Sequence, residues 1–323
     1  MKYNNIIIVL LAALSLVACR MEEPDAGPCE VRLQLSAQDE VMVTRATATY
    51  NSTLNDLGAF EADLFISNGS IVNGTTLSWE GDALSTNALH LEAGSYWFYG
   101  LMPKTDGASF DLANKTLSAT GIPGLSTDNA MLIRIDEEKH SSQTLNIAQD
   151  QKNATAYLKM DHLMAKVTPH FYINAAYNDV RTIKVKKVEF SIDDASKYKA
   201  SINYTNPVKP VVSWISVYTE DLSLTAFEYT SDAPALTTDK QAIGQFFLCP
   251  AQSVENLKMS VTYDVYDKKG ALTRENVMAE NAILKLKNES ITAGTNYKLN
   301  IQVVPTYLYI LSDNDEESVL IVE

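Results

Sequence analysis

The sequence predicts an all-β protein built as two tandem β-sandwich domains. Three observations carry the prediction. Apolar and polar residues alternate with period two in segments rich in Val, Ile, Tyr and Phe, the pattern of a half-buried strand. Examples are Val31-Arg32-Leu33-Gln34-Leu35, Ser95-Tyr96-Trp97-Phe98-Tyr99, Lys184-Val185-Lys186-Lys187-Val188-Glu189-Phe190 and Met259-Ser260-Val261-Thr262-Tyr263-Asp264-Val265-Tyr266. Turn signals punctuate the chain at Ser67-Asn68-Gly69, Val72-Asn73-Gly74, Glu80-Gly81-Asp82, Glu92-Ala93-Gly94, Lys268-Lys269-Gly270 and Ala293-Gly294-Thr295. The length, 323 residues with 46% hydrophobic, suffices for two cores at roughly 100–200 residues per domain.

Taken in order, residues 1–18 form an export signal. A Lys near the start is followed by an apolar run from Ile6 to Ala18 broken only by Ser15, too short for a membrane span. The run ends Leu16-Val17-Ala18-Cys19. This resembles the bacterial lipobox, which implies that Cys19 is lipidated, becomes the new N-terminus and anchors the protein stably at a membrane. Residues 20–28, with Pro24, Gly27 and Pro28, read as a tether. Helical periodicity is scarce: residues 49–60 allow one short helix, and 172–180 a loop or a turn of helix. The polar run 149–155 marks a domain boundary, giving an N-terminal sandwich over 46–152 and a C-terminal one over 153–304. The last 19 residues, 305–323, hold two strand-like runs, Tyr307-Leu308-Tyr309-Ile310-Leu311 and Ser318-Val319-Leu320-Ile321-Val322. They make either a final hairpin or segments that pair outside this chain, and the second reading is preferred.

Composition excludes several functions. With 26 basic and 40 acidic residues the formal charge is −14, which argues against nucleic acid and against a polybasic grip on anionic lipid. Three cysteines and four histidines leave little for a zinc ribbon, an iron–sulfur cluster or a disulfide scaffold. An exported compartment permits a Cys29–Cys249 bridge, and each is read equally well as a small buried hydrophobe. No nucleophile elbow, P-loop or paired-histidine zinc motif is present. On one strand His162 and His170 lie about 26 Å apart, too far to share a metal. The run Asp313-Asn314-Asp315-Glu316-Glu317 lacks the glycine and final acid of a calcium loop. No cofactor, metal site or catalytic residue is expected. Trp79, Trp97 and Trp214 are the candidates for an aromatic sugar platform, with Trp97 placed in the core.

Three further segments resemble the fimbrillin family of Bacteroidales surface pili. They are Leu158-Lys159-Met160-Asp161-His162-Leu163-Met164-Ala165-Lys166-Val167, Ala293-Gly294-Thr295-Asn296-Tyr297-Lys298-Leu299-Asn300-Ile301 and Val43-Thr44-Arg45-Ala46. The resemblance implies tandem transthyretin-like (Ig-like) sandwiches, delivered as an outer-membrane lipoprotein precursor. A protease cutting between Arg45 and Ala46 would release residues 19–45, the lipidated tether and first strand. The groove so opened would take a donor strand from a neighbour, here Tyr307, Leu308, Tyr309, Ile310 and Leu311 or Val319, Leu320, Ile321 and Val322. The implied function is a structural subunit of a cell-surface fimbria, serving adhesion. Its partners would be other fimbrial subunits in a homo- or hetero-polymer, the processing protease and a surface receptor. The alternative is a monomeric lipid-anchored binding protein for glycans or host proteins.

Overall fold

Alternation becomes strand along most of the chain. The computed structural model describes residues 27–37, 57–80, 84–86, 89–229, 233–284, 291–304 and 307–310. Its strands are, in chain order, β1 (Cys29–Ala37), β2 (Phe60–Ser67), β3 (Val72–Trp79), β4 (Leu84–Thr86), β5 (Leu89–Leu91), β6 (Gly94–Met102), β7 (Ser109–Asp111), β8 (Thr116–Pro123), β9 (Leu125–Ser126), β10 (Met131–Ile135), β11 (Leu145–Ile147), β12 (Asn153–His162) and β13 (Ala165–Ile173). One turn of helix, α1 (Ala175–Asn178), precedes β14 (Arg181–Asn203), β15 (Val211–Glu228), β16 (Gln241–Ala242), β17 (Phe246–Leu248), β18 (Lys258–Asp267), β19 (Leu272–Ile283), β20 (Asn296–Val304) and β21 (Tyr307–Ile310). The all-β sandwich class expected from alternation is the observed one. Asn174 caps α1 by accepting from the Ala176 N–H at 2.9 Å. The expected helix over 49–60 lies mostly outside the described residues, and Phe60 already begins β2. No helix among the described residues is long and apolar enough to cross a membrane.

The first sheet runs β4-β3-β2-β6-β10-β12-β1-β5, with β11 also on β6. Its inward residues, among them Leu64, Phe98, Ile133 and Leu158, form one buried core. Because these residues all come from one sheet, the sheet curls over its own face, and β4 comes up beside β1. The β2–β3 turn uses Asn68-Gly69: the Asn68 carboxamide oxygen accepts from the Ser70 and Ile71 N–H groups, and Gly69 takes φ +90°. Val72-Asn73-Gly74, expected to turn, instead continues the ladder, with Asn73 opposite Ile66 and Gly74 opposite Phe65. The chain has already reversed at Asn68-Gly69, so a second turn has nothing to do there.

A second sheet runs β21-β20-β13-β17-β9, with β16 on β13, and a third runs β19-β18-β14-β8-β7, with β15 along the other side of β14. The long strand β14 has two duties. Its first half pairs with β18 and closes a core holding Val185, Phe190, Phe246 and Leu299 against the second sheet. Its second half pairs with β8 and lies over the outer face of the first sheet. There Tyr198, Ala200, Ile202 and Tyr204 meet Tyr99, Leu101 and Leu132 in a third core.

The sheets therefore do not follow the expected division at 152/153. β12, starting at Asn153, is an inner strand of the first sheet, and the chain crosses to the second sheet at Leu163-Met164. β7, β8 and β9 leave the N-terminal half to join the other two sheets. The motif 158–167 straddles this crossing.

Candidate site: the slot of the first strand

β1 is where sequence pattern and topology meet. Alternation puts Cys29 and Val31 in the first core at 2% and 5% exposure, with Leu33 and Leu35 partly buried against the same core. Glu30, Arg32, Gln34 and Ser36 face solvent. The outward Arg32–Glu30 ion pair, at 3.6 Å and well exposed, contributes little.

The strand is held on both sides. It pairs with β12 in parallel from Glu30↔Asn153 to Ala37↔Met160, and with β5 antiparallel from Cys29↔Leu91 to Val31↔Leu89. The Glu30 N–H donates to Lys152 O at 2.9 Å and the Ser36 hydroxyl to Leu158 O at 3.3 Å. Without β1, β12 and β5 would each carry a row of unpaired backbone groups, and the first core would open along the line of Val31. Fully burying one large aliphatic side chain stabilises by about 1.5–3 kcal/mol. Two buried and two half-buried side chains thus approach about 5 kcal/mol, the lower end of a domain's whole net stability.

The far side of β12 is braced independently. β10 pairs with it from Met131↔His162 to Ile135↔Leu158. Beyond β10 the turn 136–140 takes over: the Asp136 N–H donates to Tyr157 O at 2.9 Å, and the Tyr157 N–H donates to His140 Nε2 at 2.9 Å. Accepting that bond requires a neutral imidazole. Burial lowers the His140 pKa below its ordinary 6.5, against a smaller upward pull from Asp136. The folded state therefore binds this proton less readily than the unfolded chain. The stabilisation is complete above pH 6.5 and is lost as pH falls through the depressed folded value. Stability measured in urea should fall by about 1 kcal/mol on acidification through this window, the worth of one backbone bond, and His140→Gln should flatten that part of the curve.

The other expected site residues fall as follows. Cys19, Arg45, Ala46, Leu311, Val319, Leu320, Ile321 and Val322 lie outside the described residues, as does the run 313–317. Tyr307, Leu308, Tyr309 and Ile310 form β21, which folds back on β20 from Val304↔Tyr307 to Ile301↔Ile310 at the edge of the second sheet. Cys29 and Cys249 are both free, and they belong to different cores, so the bridge is absent. Burial raises both thiols, that of Cys249 to about 12. His162 and His170 sit on successive strands. The His162 ring bonds Asn129 at 3.0 Å and the His170 ring bonds Thr168 O at 2.9 Å. Trp97 packs against the third core as expected, and Trp214 packs there too. Trp79 ends β3, opposite Phe60. Sequence reasoning missed Arg134, an arginine in the wholly buried strand Met131–Ile135; a lone cation inside an apolar run was the available signal.

No family model matches the chain, and no curated protein matches it. Among solved structures it is similar to a candidate cell adhesion protein from Bacteroides fragilis, at 13% identity and TM-score 0.44 over 88% of this chain and 99% of that one. It is also similar to a fimbrial protein from Bacteroides vulgatus, at 12% identity and TM-score 0.39 over 88% and 98%. A third is the fimbrial anchor protein Mfa2 from Porphyromonas gingivalis, at 9% identity and TM-score 0.33 over 88% and 95%.

Proposed function

We propose that this chain is a structural subunit of a cell-surface fimbria, exported as a lipoprotein on Cys19, cut after Arg45 and polymerised by strand exchange, serving adhesion. The position of β1 carries the reading. It is the first described strand, it fills an inner place in its sheet, and its covalent link to β2 runs through residues 38–59. A cut between Arg45 and Ala46 severs that covalent tie. Once β1 leaves, β12 and β5 need a new partner, and an extended segment with alternating small aliphatic side chains restores both ladders and the core.

The C-terminus supplies such a segment. Among the described residues β21 has one neighbour, β20, where β1 has two, so detaching it from β20 gives up that ladder and filling a slot gains two. Val319, Leu320, Ile321 and Val322 add a second apolar run, continuous rather than alternating, in which either Val319 and Ile321 or Leu320 and Val322 would take the inward places that Val31, Leu33 and Leu35 hold in the slot. Because donor and slot differ, the contact is heterologous and repeats into a fibre rather than closing as a dimer. The partners are then other subunits of the same fibre and the protease that cuts at Arg45, with the acyl chains on Cys19 holding the precursor at the outer membrane until processing.

Limited trypsin digestion of the intact precursor tests the reading. Cutting should leave a product that begins at Ala46 and assembles into ladders resistant to mild denaturant, while deletion of 307–323 should leave a cut product that does not assemble. A fully cut product that stays monomeric contradicts the proposal.

A further inference from the structure

A cleft of about 450 Å³ opens away from the β1 slot, on the outer face of the first sheet. Its floor is Leu132. Its walls are the outward side chains Arg134 of β10 and Asp161 of β12, Glu137 of the turn after β10, Lys209 of the β14–β15 connection and Trp214 of β15. The volume falls in the range of small-molecule sites, about 300–1,000 Å³, and the position between packed units is where such sites concentrate.

The polar groups are organised around Arg134. Arg134 is 6% exposed, and its guanidinium bonds the Asp161 carboxylate through Nε, the Glu137 carboxylate through Nη1 and the Ile135 carbonyl at 3.2 Å. A second arm reaches Asp161 Oδ1 at 3.4 Å. A buried arginine gripped this way holds both carboxylates in fixed positions. Each carboxylate still reaches the cleft, with side-chain exposures of 21% for Asp161 and 38% for Glu137, and an ionised carboxylate accepts more bonds than one guanidinium arm supplies. On the opposite wall Trp214 is steadied by a T-shaped contact with Tyr198 at 6.1 Å.

Charge selects the ligand class. Arg134 and Lys209 balance Asp161 and Glu137, so the lining is formally neutral and favours neither anion nor cation. Fixed acceptors demand hydroxyl donors, and the indole and Leu132 demand an apolar face. A pyranose ring offers both, with hydroxyls around its rim and C–H groups on its faces. We infer that this cleft binds a neutral saccharide, of mono- to disaccharide size. The site does not depend on processing or polymerisation, because β1 contributes no wall.

The test uses the full-length chain in detergent with maltose, lactose and N-acetylglucosamine as probes, read by saturation-transfer NMR and by tryptophan fluorescence titration. At least one sugar should bind. Trp214→Ala should weaken it about tenfold, the scale of one lost aromatic contact. Because that change also strips packing from Tyr198, Trp214→Phe and Glu137→Ala are run beside it; both should weaken binding severalfold, Trp214→Phe with the thermal midpoint little moved and Glu137→Ala with a lowered one, since it removes a partner of the buried Arg134, so binding is read well below either midpoint. Trp79→Ala should leave binding unchanged. Absence of binding by all three sugars overturns the inference. So does affinity that survives both Trp214→Phe and Glu137→Ala, or tighter binding of glucuronate or of a lysine peptide than of any neutral sugar.

Discussion

Val31→Asp in the intact precursor is expected to destabilise the first sheet by about 3–5 kcal/mol, the cost of an uncompensated buried charge. Val31 is 5% exposed, opposite Ala154 on β12 and Leu89 on β5, and its side chain sits in the first core. The described side chains packed in that core are hydrophobic, so the carboxylate must protonate or draw β1 out of its place. One residue further on, Arg32 points to solvent, and Arg32→Asp should cost no more than about 0.5 kcal/mol. The contrast is the signature of a period-two strand that fills a core. Urea midpoints of the two variants measure it, and equal midpoints would mean that β1 adds nothing to the fold. A chain with Val31→Asp should also show the exposed β12 edge before any cut is made.

The second large effect is expected at Tyr204, the residue that follows β14. Its ring is 1% exposed and meets Tyr99 edge-on at 4.8 Å, while Tyr99 stacks on Phe110 at 4.3 Å. Its hydroxyl donates to Ile133 O at 3.0 Å, with Gly100 O at 3.3 Å. Gly100 and Ile133 are partners across β6 and β10, so one hydroxyl ties the far half of β14 to the centre of the first sheet. The strands come together tightly there: a Cβ on Gly100 would lie 2.7 Å from Asp63 O. Burial drives the phenol pKa far upward, which keeps the donor proton in place. Tyr204→Ala should cost about 3–5 kcal/mol by leaving an aromatic-sized cavity, and Tyr204→Phe about 1 kcal/mol by removing the bond alone. Calorimetry on the two variants separates ring from hydroxyl. Neither change touches the β1 slot, so Tyr204→Phe should still be processed and assemble.

The physical reason that some of this was legible in the sequence is that it is local. Alternation in Val31-Arg32-Leu33-Gln34-Leu35 fixes which side chains enter the core whatever the partners are. The turns at Asn68-Gly69, Lys269-Gly270 and Ala293-Gly294 were readable because a positive φ asks for glycine there. What escaped was non-local or irregular. β14 runs from Arg181 to Asn203, yet its alternation holds only in short stretches and is already broken at Lys186-Lys187. Bulges near Val188, Ile192 and Lys197, with Asp194 at φ +53°, shift the phase and hide one strand as several. The departure of β8 from its neighbours to join β14 has no local signal, so a boundary drawn on the polar run 149–155 cut between β12 and its own sheet. The Arg134 cluster escaped for the same reason: Asp161 lies 27 residues away and meets Arg134 only because β10 and β12 are paired.

If another strand takes the place of β1 after processing, as proposed, amide hydrogen exchange along β12 reads that place directly. The amides of Asn153–His162 that face β1 should be protected in the intact precursor. They should exchange rapidly in the freshly cut monomer, and become protected again in the assembled fibre, while amides bonded to β10 stay slow throughout. Protection that persists in a cut monomer from which β1 has gone, or rapid exchange that persists in the fibre, would contradict the account.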